Sequence, residues 1–414
     1  MKGRSKAFGQ GFLARRLIPF LALLLAFFLW PSAAYADGCM PLILPLTRFT
    51  LFYTLALGAV EGILIGLVFR VRKIVALGVM VVANYASMLA GFVYLDQVRD
   101  FVFGHFMKGA PLYDMLRLQW ILFGISFVLT LVLEWPFCWL TLSGKRGRWW
   151  KSILATGLAQ SASYALLTPF FVYITEWGLY RQVDLDPSFV TSVSDKALVY
   201  FLSNEKGEVY RVRLNGQNRE KVPTLETWAW GAVLSVRRAE DGKHVDLWGA
   251  VGGAGGGAIR MLLPQVGVLP FPDAYDDKGW EDWATDRWRY RAPVLDFRSA
   301  RDRAWKVEEG WWGDRLISAK NESTGESLWL SFETPSFEWV ARYISVIPGG
   351  KVVFQLESYL QLNGFAVTPS VYVPDQIVLL DLRSRKLGLI TYGRSPVVVF
   401  PEQGASAADA TKPD

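Results

Sequence analysis

Phe49–Phe69 reads FTLFYTLALGAVEGILIGLVF, a run of 21 residues in which Glu61 is the one charged side chain. It is as long as the roughly 20 apolar residues that carry an α-helix across a 30 Å hydrocarbon core. The chain then turns through Arg70-Val71-Arg72-Lys73 into a second apolar run, Ile74–Leu95, which contains Ala83-Asn84-Tyr85-Ala86-Ser87. The same plan recurs further on. Leu118–Leu140 carries Glu134, a second basic turn reads Lys145-Arg146-Gly147-Arg148, and Ile153–Ile174 contains Ala159-Gln160-Ser161-Ala162-Ser163. The pattern of a Glu, a basic turn and Ala-[Asn/Gln]-x-Ala-Ser therefore occurs twice in the same direction, as in a parallel repeat. The expected fold class is a membrane α-helical bundle of four transmembrane helices, made of two parallel-repeat hairpins, followed by an all-β exported domain.

Depth gives the repeat a physical meaning. Glu61 is nine positions from Arg70, Glu134 eleven from Lys145, Asn84 eleven from Lys73 and Gln160 nine from Lys151. At about 1.5 Å per residue each polar group lies roughly 13–17 Å from the inner edge, near mid-membrane. A Glu and an amide at matching depth on neighbouring helices can hydrogen-bond and relieve the burial of both. Two roles fit. Glu61–Asn84 and Glu134–Gln160 are either structural clamps holding neutral carboxyls, or the lining of a proton or solute path, since intramembrane acids are often functional. Gly58, Gly62 and Gly66 form a small-residue stripe that admits a close helix neighbour, in this molecule or in a second copy as a homo-oligomer. Pro136 is expected to kink the third span.

The segments before the first span fix its direction. Residues 1–36 have a basic start (Lys2, Arg4, Lys6, Arg15, Arg16), an apolar stretch Leu17–Trp30, a breaking Pro31 and the small-residue site Ala34-Tyr35-Ala36. That is the anatomy of a cleavable secretory signal. Retention as an anchor, or lipidation at Cys39, are the alternatives. Net charge is +6, but from Gly178 onward there are 28 Lys+Arg against 31 Asp+Glu, so the excess sits in the signal and the two basic turns. Short basic loops stay in the cytoplasm. This places spans 49–69, 74–95, 118–140 and 153–174 as a multi-pass domain (37–180) of the cytoplasmic (inner) membrane, with the C-terminal domain outside the cytoplasm. Trp149, Trp150 and Trp177 flank the interfaces. The basicity belongs to insertion and to membrane lipid, and no nucleic acid is expected as partner. The 96–117 loop, with His105, is expected outside as an amphipathic surface segment.

From residue 181 to 400 the composition changes to short alternating runs broken by Gly, Asn and Asp turns. Strands are expected in Ala197–Leu202, Glu208–Leu214, Ala232–Ala250, Leu316–Phe332, Val340–Leu356 and Gln376–Val399, and the tail 401–414 is small and polar. The rhythm of Ala197–Val222, and of Gly350–Leu356 with Ile377–Leu382, Leu387–Tyr392 and Pro396–Phe400, resembles the blades of a β-propeller. That resemblance covers the rhythm of the C-terminal domain only and carries no Trp-Asp signature. It implies blades of about 40–45 residues, and a β-sandwich or irregular β-domain is the alternative.

The chemically richest stretch is 252–315. Gly252–Gly257 lacks the ending of a phosphate-binding loop, and Asp273–Asp282 does not have calcium-loop spacing. Trp288, Arg289, Trp305, Trp311 and Trp312 belong to a Trp/Arg-rich run suited either to the core or to a binding surface for a protein or glycan partner in the cell envelope. With two histidines, no nucleophile motif and no metal-ligand cluster, the sequence gives little to an enzyme, and no cofactor or metal is expected. The leading expectation is a binding or scaffolding module. The alternative is a small transporter or proton-coupled membrane module using Glu61 and Glu134.

Overall fold

The computed structural model of the protein describes residues 48–108, 111–177, 182–194, 196–224, 232–251, 258–268, 305–309, 316–331, 333–334, 337–359 and 374–401. The expected signal (1–36), Cys39, Gly252–Gly257, Asp273–Asp282 and the tail from Glu402 lie outside the described residues. Two compact units make up the chain: Met1–Phe92 with Ser126–Ile174, and Val93–Ile125 with Thr175–Asp414.

Four long helices follow the apolar runs: α1 Arg48–Val68, α2 Lys73–Phe106, α3 Pro111–Thr141 and α4 Arg148–Trp177. Two of them are long and apolar enough to cross a membrane, α2 through Lys73–Ala90 and α3 through Pro111–Thr141. The apolar run of α1 is shorter, Thr54–Val68, and α4 is interrupted by Gln160, Ser161, Ser163 and Thr168. α3 continues helical through Pro136.

In the helical unit the glycine stripe settles the first hairpin. A Cβ on Gly62 would lie 2.4 Å from the Leu77 Cα, and one on Gly58 2.7 Å from the Val81 Cα. Only glycine permits that approach of α1 to α2. The stripe offered by the sequence to this molecule or to a second copy is thus met by α2 within the molecule. Ile65, Ala76, Met80, Ala83, Cys138, Leu142, Ala155 and Ala159 complete a core drawn from all four helices. The two basic turns meet, where the Lys145 Nζ donates to the Arg70 carbonyl at 3.2 Å.

The second unit corrects the expectation for 96–117. That segment is no surface loop: α2 continues to Phe106 and α3 begins at Pro111, a residue preorganised for a first helical turn. Val102 and Phe103 on α2, with Leu112, Met115, Leu118 and Leu122 on α3, are buried in one core with Phe354, Leu380 and Trp305. The tip is pinned by hydrogen bonds from the Leu112 amide to the Gln376 Oε1 at 3.1 Å and from the Leu389 amide to the Tyr113 hydroxyl at 2.9 Å.

The strands run β1 Asp184–Leu185, β2 Leu198–Leu202, β3 Val209–Arg213, β4 Glu220–Lys221, β5 Ala232–Arg238, β6 Val245–Val251, β7 Ala258–Gly267, β8 Trp305–Glu309, β9 Leu316–Asn321 and β10 Ser327–Ser331. They continue with β11 Glu333–Thr334, β12 Phe337–Ile347, β13 Lys351–Tyr359, β14 Gln376–Asp381, β15 Lys386–Tyr392 and β16 Arg394–Val399, and the short helix α5 Phe189–Ser192 lies between β1 and β2. A six-stranded sheet, β1-β15-β14-β13-β12-β11, forms the centre, with sheets β10-β9-β8, β16-β2-β3-β4 and β5-β6-β7 beside it. Alternation on β13 and β14 sends Val352, Phe354, Val378 and Leu380 to one core. Val353, Ile377 and Leu379 go to the other, with Val199, Phe201 and Val398. Both faces of these strands are covered, which is why they read as nearly continuous apolar runs.

The hairpins expected from the sequence form, but the described strands close neither a barrel nor a propeller. β13, β14 and β15 belong to one sheet, as the blade reading requires. β16 then leaves to pair with β2, Val399 opposite Leu198, while β12 and the parallel β1 widen the central sheet. The turn rhythm specifies hairpins, and lateral order is set by which apolar faces meet.

Candidate functional site

The repeated Glu and amide come together in the core of the helical unit. Glu61 is 1 % exposed, Glu134 0 % and Gln160 2 %. The Asn84 Nδ2 donates to the Glu61 Oε2 at 2.5 Å, and the Gln160 Nε2 donates to the Glu134 Oε2 at 2.5 Å, so each hairpin joins its own Glu to its own amide. Three further bonds cross between the hairpins. Ser163 donates to the Glu61 Oε1 at 2.5 Å, Ser87 to the Glu134 Oε1 at 2.8 Å, and Gln160 reaches the Glu61 Oε1 at 3.2 Å.

The geometry follows the repeat. Ser87 lies three residues after Asn84 and Ser163 three after Gln160, which places each pair on one helix face. The serines end the very motif that marks the duplication, so helical spacing was the signal that assigns them to the site. Asn84 bonds only the carboxyl of its own hairpin. Gln160, one methylene longer, touches both. Among the described residues, every donor that reaches the two carboxyls is neutral. The three crossing bonds tie the two hairpins to each other through their polar residues.

Around this polar centre the helical unit is apolar on its outside. Ile74 is 85 % exposed, Val132 63 % and Leu154 61 %, while buried positions include Ser152, Thr156 and Ser163 besides the carboxyls. Trp149 and Trp150 stand exposed at the start of α4, next to the basic turns. Cys138 is buried against the Met80 sulfur.

In the β unit, Trp288, Arg289, Trp311 and Trp312 lie outside the described residues. Trp305 does not fit a binding surface. It alternates inward with Val307 on β8, is 2 % exposed and packs in the central core, because strand periodicity turns Lys306 outward instead. An aromatic that the sequence did not single out, Trp329 on β10, is 60 % exposed between the buried Leu328 and Leu330. His244 is tied by its Nδ1 to the Asp241 carboxylate across the β5–β6 turn, and that hydrogen bond holds the Asp241 carboxyl down to about 2. His105 bonds the Phe101 carbonyl one turn back on α2. Among the described residues no three His, Cys, Asp or Glu gather as metal ligands.

Comparison with protein-family models, with curated proteins and with solved structures gives no match for this chain.

Proposed function

We propose that the chain is a polytopic protein of the cytoplasmic membrane whose four helices anchor an extracytoplasmic β-domain, and that this domain is a binding or scaffolding module for a protein or glycan partner. The observation that carries the reading is how the β unit is built. It takes the ends of α2 and α3 into its own core through Phe103, Leu112, Met115 and Leu118. A domain built in this way draws part of its own core from the segments that lead into the proposed spans. The inverted polarity of the helical unit supports four spans in lipid, since an apolar exterior around buried carboxyls suits hydrocarbon and is unfavourable in water. The contact between the two basic turns supports both lying on the cytoplasmic side. Trp329 adds an exposed ring of the kind enriched at binding hot spots.

The test uses the full chain in lipid nanodiscs, probed with soluble peptidoglycan fragments and with cross-linked envelope extract. Saturable capture that falls at least tenfold in Trp329→Ala or in Trp311→Ala/Trp312→Ala supports the module. Undiminished capture in both, or none by the wild type, sinks it. A second reading, a small proton-coupled module centred on Glu61 and Glu134, is favoured by the network that joins the two carboxyls through Gln160.

A further inference from the structure

The two carboxyls are related by the repeat, yet their partners differ. Among the described residues, Glu61 accepts from the Asn84 and Gln160 nitrogens and from the Ser163 hydroxyl, whose one hydrogen has no second acceptor beside it. The Asn84 amide is oriented by a second bond from its Nδ2 to the Met80 carbonyl at 3.1 Å, so its nitrogen faces the Glu61 Oε2. The Gln160 nitrogen faces the Glu61 Oε1 and is committed at the same time to Glu134. An ionised carboxylate is an acceptor at both oxygens and suits this cage.

Glu134 has a different neighbour. The Ser87 hydroxyl lies 2.8 Å from the Glu134 Oε1 and 3.0 Å from the Asn84 carbonyl, so it has two acceptors for its one hydrogen. When the hydrogen turns to the Asn84 carbonyl, the Ser87 Oγ becomes free to accept one from a carboxylic acid. A hydroxyl with two such settings accommodates either protonation state of the carboxyl beside it. Two negative charges bridged by a single neutral amide in the core of a bundle would be strongly unfavourable, and the donors at the pair supply no cation. Among the described residues, the ionisable groups that feel the pair, besides the carboxyls of α1 and α3, are the Cys138 thiol on α3 and the Tyr164 phenol on α4. On α2 the side chains bonded to the pair are the neutral Asn84 and Ser87.

We propose that Glu61 and Glu134 hold one proton between them, carried on the Glu134 Oε1 and donated to Ser87, with Glu61 the ionised partner. The pair is a single-proton site with fixed polarity, built by a duplication and made unequal by the difference between Asn84 and Gln160. It rests on the membrane reading of the helical unit and stands whether or not the β-domain binds a partner.

Infrared spectroscopy of the full chain in nanodiscs at pH 7 reads it directly, since a protonated carboxyl has a C=O stretch that surface carboxylates lack. The expected wild-type spectrum has such a band. Glu134→Gln, which mimics the acid with its amide nitrogen toward Ser87, removes it, and Ser87→Ala moves it to higher frequency. Ser163→Ala leaves it in place. The proposal is overturned if the wild type shows no band, if the band survives Glu134→Gln, or if Ser163→Ala shifts it as Ser87→Ala should. None of these readouts depends on Glu61 variants, which force an amide donor against Asn84 or Gln160 and risk misfolding.

Discussion

The helical unit and the β unit solve burial in opposite senses. In the first, Ile74, Val132 and Leu154 face outward and Glu61, Glu134 and Gln160 are enclosed. In the second, Val353, Phe354, Ile377 and Leu379 are enclosed, while ion pairs such as Arg211–Glu220 and Lys221–Glu208 lie toward the outside. The contrast teaches that polarity has no fixed side in a protein. Apolar side chains leave water wherever water is present, and polar groups seek one another wherever it is not. The helix ends 93–125 obey the β unit's rule although they continue helices long and apolar enough to cross a membrane, and this is where the comparison can be tested hardest.

The largest effect is expected from cutting there. A fragment of residues 181–400 lacks Val102, Phe103, Leu112, Met115, Leu118 and Leu122. At about 1.5–3 kcal/mol for each buried apolar side chain, their loss rivals the ~5–15 kcal/mol that holds a domain folded. The fragment should bind a hydrophobic dye and melt without cooperativity. A fragment with a sharp transition would mean that the helix ends are accessories.

Within the full chain, Phe103→Ala should destabilise the β unit by about 3–5 kcal/mol, whereas Phe101→Ala, two residues away and about half exposed, should change it by less than about 0.5 kcal/mol. Chemical denaturation followed by β-domain fluorescence separates the two. Equal effects would break the distinction between core and surface on this helix.

In the helical unit, Gly62→Ala puts a methyl against the Leu77 backbone and should lower stability by about 1–3 kcal/mol. Gly78→Ala meets nothing within 4 Å and should be neutral or slightly stabilising. Detergent-resistance melting compares the pair.

The smallest effect belongs to a surface charge. Hydrogen bonds from Lys386 and Ser188 hold the Asp186 carboxyl at about 2, below the ~3.9 of an unfolded aspartate. A depressed folded value means that the contribution is full above about pH 4 and fades as pH falls toward 2. Asp186→Asn should therefore lower the melting temperature slightly at pH 7 and by a smaller amount near pH 2.

Much of the fold could be read from the chain. The runs around Glu61 and Glu134 mark helices, the basic turns mark where those helices reverse, and the units at Ala197–Leu202, Ala232–Ala250 and Gln376–Val399 resolve into the strands observed. The carboxyls and amides of the site were legible because each repeats at matching depth. Ser87 and Ser163 were legible only as motif letters. Trp305 was left between core and surface because a tryptophan-rich stretch does not say which ring a strand turns inward, and it lies in the core.

The sequence by itself determined the helical and strand periods, the duplication and the polar pair in each hairpin, because these depend on residues a few positions apart. Tertiary structure decided that Gln160 and Ser163 cross to Glu61, that the glycine stripe is filled by α2, that β16 pairs with β2, and that residues 93–125 belong to the β core. Those contacts join segments up to hundreds of residues apart. They are chosen by which faces fit and by which solvent each face is leaving, and neither is written in local spacing.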